Sequence, residues 1–135
     1  MMVLDASAVV ALLLRSDAGN RVAERLGDTT DVVHVPHLML VEVSQVLRRL
    51  VQAAVITPDR GKRTITYLRD IDAVRHAHER LLPRMWELRE NLTACDATYV
   101  ALAESLDAPL VTLDAKIAGA PGHNARVEVL AQRTA

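Results

Sequence analysis

Residues 2–14 read Met2-Val-Leu-Asp5-Ala-Ser7-Ala-Val-Val-Ala-Leu-Leu-Leu14, a short apolar run that ends in an acid and continues as an apolar segment of helical length. The run before Asp5 has the look of a buried strand, and the segment after it the look of a helix laid back on that strand. Asp5 therefore stands at a strand-to-helix junction. The stretch is not a secretory signal core: Asp5 interrupts it, no basic segment precedes it, and it is too short to span a bilayer.

Outward from this unit, strands and helices alternate. Asp17 or a neighbour caps a second helix to about Leu26, Asp28-Thr-Thr is turn-like, and Val32 to Val35 is a second strand. Pro36 begins a helix to about Gln52 with Leu38, Val41, Val46 and Leu50 at helical spacing. Thr57-Pro-Asp opens another, with Arg60, Lys62 and Arg63 on one side and Ile65, Leu68 and Ile71 on the other. Asp72 to Ala77 is a short strand, and Pro83 divides the helical stretch from His78 to Leu92. Thr93 starts a helix to about Leu106, Pro109 to Leu113 is a strand, Asp114 to Ile117 a helical turn, and Arg126 to Leu130 a last strand. This pattern implies βαβ units and an α/β fold, a mainly parallel sheet covered on both faces, within one domain over residues 1–135. Ligand chemistry in such sheets lies beyond the carboxyl ends of the strands, where Asp5 and Asp114 both fall.

Composition narrows the chemistry by exclusion. With 16 basic and 17 acidic side chains the chain has no global field to draw it to nucleic acid, so attraction must come from local patches or a bound cation. The single cysteine, Cys95, forms no internal disulfide, and no Cys/His spacing resembles a zinc site; a reducing cytoplasmic compartment is expected. The chain has two tyrosines, one tryptophan and no phenylalanine, which disfavours base stacking as the main binding mode.

Four acids stand out, each beside a plain alternative. Asp5 and Asp114 occupy positions where an N-cap carboxylate stabilises a helix by about 1 kcal/mol. Asp96, three residues after Thr93, matches the spacing of a capping box. Glu42 has no such alternative, because it sits in mid-helix between Val41 and Val43, one turn from Leu38 and Val46. A carboxylate on that stripe needs a cation or hydrogen bonds from elsewhere, an arginine being the ordinary choice. Tyr99, Val100 and Ala103 share a face with Asp96, which turns it inward as well. Four converging carboxylates repel one another unless a hard divalent cation sits between them. An all-oxygen donor set selects Mg²⁺ or Mn²⁺ over zinc or copper, and phosphodiester hydrolysis is the reaction such an ion serves.

The segments V-L-D-A-S at 3–7, V-E-V at 41–43, L-T-A-C-D-A-T-Y-V-A-L-A at 92–103 and L-V-T-L-D at 110–114 together resemble the PIN-domain family, in particular its VapC-type toxins. The resemblance covers nearly the whole chain. It implies a three-layer α/β/α sandwich, a Mg²⁺- or Mn²⁺-dependent endoribonuclease acting by metal-activated water, a cognate VapB-like antitoxin and a homodimer. Asp5, Glu42, Asp96 and Asp114 match the four family acids, with Asp5 and Asp96 the closest ligands. Ser7 and Thr112 match hydroxyl positions that orient a carboxylate, a water or phosphate. Arg89 and Asn91 match an R-x-N segment that contacts RNA or supports the third acid.

Arg48, Arg49, Arg60, Lys62, Arg63 and Arg69 are candidates for a phosphate-binding rim around the acids, for an antitoxin contact, or for a solvated helix face. The apolar excess on the helices after Pro36 and Thr57 leaves room for a dimer or antitoxin groove beside an ordinary core. A receiver-like binding module is the rival of a different class, but Asp5 has no adjacent acid and Lys116 follows Asp114 too closely. A nuclease of DNA flaps fits poorly in 135 residues.

Overall fold

The computed structural model describes residues 1–27 and 30–130; the turn read at Asp28 and Thr29 lies outside them. Five strands, β1 (Met2–Leu4), β2 (Val33–Pro36), β3 (Val74–His76), β4 (Leu110–Thr112) and β5 (Val127–Val129), form one sheet in the order β3-β2-β1-β4-β5, and every pairing is parallel. Met2, Val3, Leu4, Val35, Leu110 and Val111 are fully or almost fully buried, as expected for parallel strands covered on both faces.

The helices are α1 (Ala6–Leu14), α2 (Asp17–Gly27), α3 (Leu38–Gln52), α4 (Pro58–Arg69), α5 (Leu82–Glu87), α6 (Ala94–Leu106) and α7 (Ala115–Gly119), with a 3₁₀ turn at Glu79–Leu81 before α5. The expected break at Pro83 takes this form, a 3₁₀ turn followed by a helix with Pro83 in its first turn, where its missing N–H costs nothing. Ser16, a neighbour of Asp17, accepts the Gly19 N–H at 3.1 Å and caps α2. At Gly19 itself a Cβ would stand 1.9 Å from the Ala11 carbonyl oxygen, so only glycine lets α2 close on α1.

Two local expectations need correction. Pro36 closes β2, paired with His76, and α3 begins two residues later at Leu38; a proline is tolerated here because its φ suits the end of a strand as well as the start of a helix. The core-facing stripe of α3 is Met39, Val43 and Leu47, all buried, whereas Val41 is 68% exposed. Both stripes have helical period, and the sequence alone does not say which one meets the sheet.

Strand order runs outward from β1 to β2 and β3 on one side, and to β4 and β5 on the other. The reversal between β1 and β4 opens a crevice beyond their carboxyl ends. Val3 pairs with Leu110 and Leu4 with Val111, so the next residues, Asp5 and Thr112, come side by side at the crevice.

Candidate active site

Asp5 leaves β1 with extended backbone and caps α1. Its Oδ1 accepts the Ser7 hydroxyl at 2.6 Å and the Ala8 N–H at 3.0 Å, and its Oδ2 accepts the Thr112 hydroxyl. Each hydroxyl is itself fixed from the β4–α7 turn: Ser7 Oγ accepts the Leu113 N–H at 3.1 Å, and Thr112 Oγ1 accepts the Asp114 N–H at 2.9 Å. Ser7 and Thr112 thus tie the carboxylate of β1 to the end of β4 across the crevice. Asp5 is only 5% exposed. Burial pushes its carboxyl above the usual range, the hydrogen bonds from Ser7, Thr112 and Ala8 counter part of that rise, and the Asp114 charge adds to it.

Asp114 is half-buried and caps α7, its Oδ1 accepting the Lys116 N–H at 2.9 Å. The cap role is therefore real for both Asp5 and Asp114. Capping engages Oδ1 of Asp114 and leaves its second oxygen without a hydrogen bond among the described residues.

Glu42 lies on the second turn of α3, half-buried. Its partner is not an arginine: the buried Tyr99 hydroxyl, from α6, donates to Glu42 Oε1 at 2.6 Å. Burial, that hydrogen bond and the Glu42 charge hold the Tyr99 hydroxyl protonated far above its ordinary range, with Asp5 and Cys95 adding to the effect. Asp96 sits in the first turn of α6, half-buried, and its N–H is capped by Thr93 Oγ1 at 3.1 Å. Only that half of a capping box forms; the Asp96 carboxylate has no hydrogen bond among the described residues. Next to it, burial and the charges of Glu42 and Asp96 raise the Cys95 thiol.

The Asp114 charge helps raise the Asp5 carboxyl, Glu42 and Asp5 both help raise the Tyr99 hydroxyl, and Glu42 and Asp96 both help raise the Cys95 thiol, so Asp5, Glu42, Asp96 and Asp114 share one neighbourhood. None of the four enters an ion pair among the described residues. Among the described residues no group of three or more His, Cys, Asp or Glu side chains is placed closely enough to hold a metal ion by itself. The acids frame one end of the sheet with oxygens left over, the donor type a hard divalent cation takes, and no ion pair among the described residues offsets their charge.

The other expected residues fall elsewhere. Arg89 is exposed, 4.7 Å over the Trp86 ring and donating to the Trp86 carbonyl at 2.9 Å. Asn91 is exposed, with its amide beside Gly122; among the described residues neither side chain has a hydrogen bond or ion pair with one of the acids. The expected basic rim divides: Arg48 and Lys62 flank an apolar groove between α3 and α4, Arg60 and Arg63 face α1, and Arg69 pairs with its neighbour Asp70. Tyr99 is the residue whose role at the site the sequence did not flag. A hydroxyl-bearing side chain three residues after Asp96, in a chain with so few aromatics, was the available signal for it.

The PIN domain family model matches residues 2–122. The ribonuclease VapC12 of Mycobacterium tuberculosis is 39% identical over 131 residues, 97% of this chain and all of that protein. Among solved structures, a toxin–antitoxin complex from Klebsiella pneumoniae superposes with a TM-score of 0.70 at 18% identity, over 98% of this chain and 100% of that one. The sarcin–ricin-loop-cleaving toxin VapC20 of Mycobacterium tuberculosis superposes with a TM-score of 0.69 at 19% identity, over 92% and 97%.

Proposed function

Because this chain belongs to the PIN-domain family, we infer that it is the toxin of a type II toxin–antitoxin system, an endoribonuclease that hydrolyses RNA phosphodiester bonds. The observation that carries the reading is Asp5: a buried carboxylate at the sheet's reversal point, held by two hydroxyls and an N–H, with no ion pair among the described residues. The family is dependent on divalent metal; for this chain we take the ion to be Mg²⁺ or Mn²⁺, held by Asp5 and Asp96, with Glu42 and Asp114 completing the set directly or through water. When bound, such an ion lowers the pKa of a water and offsets charge on the phosphate oxygens.

The chain's own residues have separable tasks in this scheme. Ser7 and Thr112 fix the rotamer of Asp5, so that its carboxylate does not have to be ordered when substrate arrives. Tyr99 holds Glu42 Oε1, which leaves Oε2 to take a proton from the attacking water. Asp114 sets the charge around Asp5 while capping α7. Arg89 and Asn91, on the turn that leads into α6, are proposed only to touch RNA outside the acids.

The partners in this reading are RNA, a VapB-like antitoxin and a second copy of the chain; one nuclease domain spans residues 1–135. No helix among the described residues is long and apolar enough to cross a membrane, and the cytoplasm is the proposed compartment. The test is cleavage of total RNA and of matched single-stranded RNA and DNA by the purified chain in Mg²⁺, Mn²⁺ or EDTA, beside an Asp5→Asn, Asp96→Asn double variant. Metal-dependent RNA cutting absent from the folded variant supports the reading. Equal cutting by both proteins, or preference for DNA, counts against it.

A further inference from the structure

Three arginines line one cavity of about 240 Å³ where the end of α1 meets α4: Arg15, Arg60 and Arg63, with Leu13, Thr64 and Tyr67 completing the wall. Arg15 follows the last turn of α1 with left-handed backbone, φ 56° and ψ 37°. Glycine is the ordinary occupant of such a helix end, and another residue there costs about 1 kcal/mol. The Arg60 guanidinium donates to the Leu14 carbonyl at 2.8 Å, which holds it at the end of α1 with further donors unspent. Arg60, Arg63 and Tyr67 stand three and seven residues apart on α4 and so share one face.

None of the three arginines has an ion pair among the described residues. That is notable in a chain with one more acid than base, since like charges gathered around one cavity repel unless an oxyanion lies between them. Guanidinium forks match phosphate oxygens in pairs, and the exposed Tyr67 ring beside them offers a face to a base.

We propose that this cavity binds a backbone phosphate of the RNA substrate, at a distance from the acids that cut it. This rests on the ribonuclease reading above. Asp5 caps the first turn of α1 and Arg15 ends it, so the two residues are separated by roughly 15 Å along the helix axis, a span of a few nucleotides. A strand repelled by the acidic end gains its hold here, and the contact places the backbone without reading its sequence.

The experiment measures binding of fluorescein-labelled single-stranded RNA to metal-free protein across a KCl series, together with kcat and KM for cleavage in Mg²⁺. Arg15→Gly and Arg63→Gln are each expected to weaken binding several-fold, to flatten the slope of log K against log salt by about 0.7, and to raise KM with kcat held. Arg126→Gln, whose arginine pairs with Asp107 at another surface, keeps the wild-type slope. Arg15→Gly relieves the left-handed backbone, so its Tm stays level or rises and its loss of binding is not unfolding. If both variants bind RNA with the wild-type slope, the cavity is not an RNA site, and it is overturned equally if they lose only an acidic partner polypeptide. Wild-type protein that neither binds nor cleaves RNA defeats the ribonuclease reading itself; wild-type protein that does both, with variants unchanged, defeats only the cavity.

Discussion

Asp5 and Glu104 are both acids withdrawn from solvent beside the same sheet, and the chain balances them in opposite ways. Glu104, on α6, receives Arg84 Nε at 2.8 Å and Nη2 at 3.0 Å, while the same guanidinium also reaches Glu87 at 2.9 Å and the Gly122 carbonyl at 3.1 Å. Burial alone would raise the Glu104 carboxyl, but the Arg84 hydrogen bonds, with help from the Asn124 N–H, outweigh it and hold it below the ordinary range. Asp5 receives two hydroxyls and one N–H, and its carboxyl is raised. Glu104 is balanced by a cation of the chain; Asp5, Glu42, Asp96 and Asp114 have only neutral hydrogen-bond donors and no ion pair among the described residues.

The comparison breaks most visibly through Asp5. Asp5→Asn is expected to lower metal-dependent RNA cleavage at least about 100-fold, while stability changes by no more than about 1 kcal/mol, since the charge removed had no cation to lose. Both are read from one preparation, by a cleavage assay and a thermal melt. Arg84→Ala is the converse: it strands Glu104 and is expected to cost about 2 kcal/mol, roughly 6 to 10 °C in Tm, with cleavage per folded molecule unchanged.

Smaller effects sharpen the contrast. Tyr99→Phe removes the 2.6 Å hydrogen bond from Tyr99 to Glu42 without emptying the core, and is expected to weaken Mn²⁺ binding about tenfold by calorimetric titration. In a Glu42→Ala background the same change should do nothing further, because Tyr99 acts through Glu42. The smallest effect is one of pH. Since Glu104 titrates below an unfolded value near 4.5, the stability it contributes is complete above that value and drains away as pH falls through its lower folded value. Melts between pH 5 and about 3 should show a shallower acid loss in Arg84→Ala than in the wild type.

The fold was legible wherever local chemistry decides it. Three buried residues and an acid announced β1 and its junction, Thr57 and Thr93 announced their helices by capping them, and Pro83 announced a break. The rotation of α3 was not legible, because Val41 and Val43 both belong to apolar stripes and only contact with the sheet chooses between them. Among site residues the same divide holds. Asp5 could be named because it sits at an element boundary, and Ser7 and Thr112 because they match hydroxyl positions of the family, whereas the Tyr99–Glu42 bond joins residues 57 positions apart and needs two helices in place. Arg15 escaped for a related reason: nothing in its neighbourhood on the chain shows that α4 brings Arg60 and Arg63 to it.

The most direct measurement is a Mn²⁺ titration of the wild type and Asp5→Asn by calorimetry, with the same samples assayed for RNA cleavage with and without EDTA. The account predicts that the wild type binds Mn²⁺ and cuts RNA, that EDTA abolishes the cutting, and that the folded variant loses ion and activity together. A folded Asp5→Asn protein that cuts at the wild-type rate, or wild-type cutting undiminished in EDTA, would contradict it.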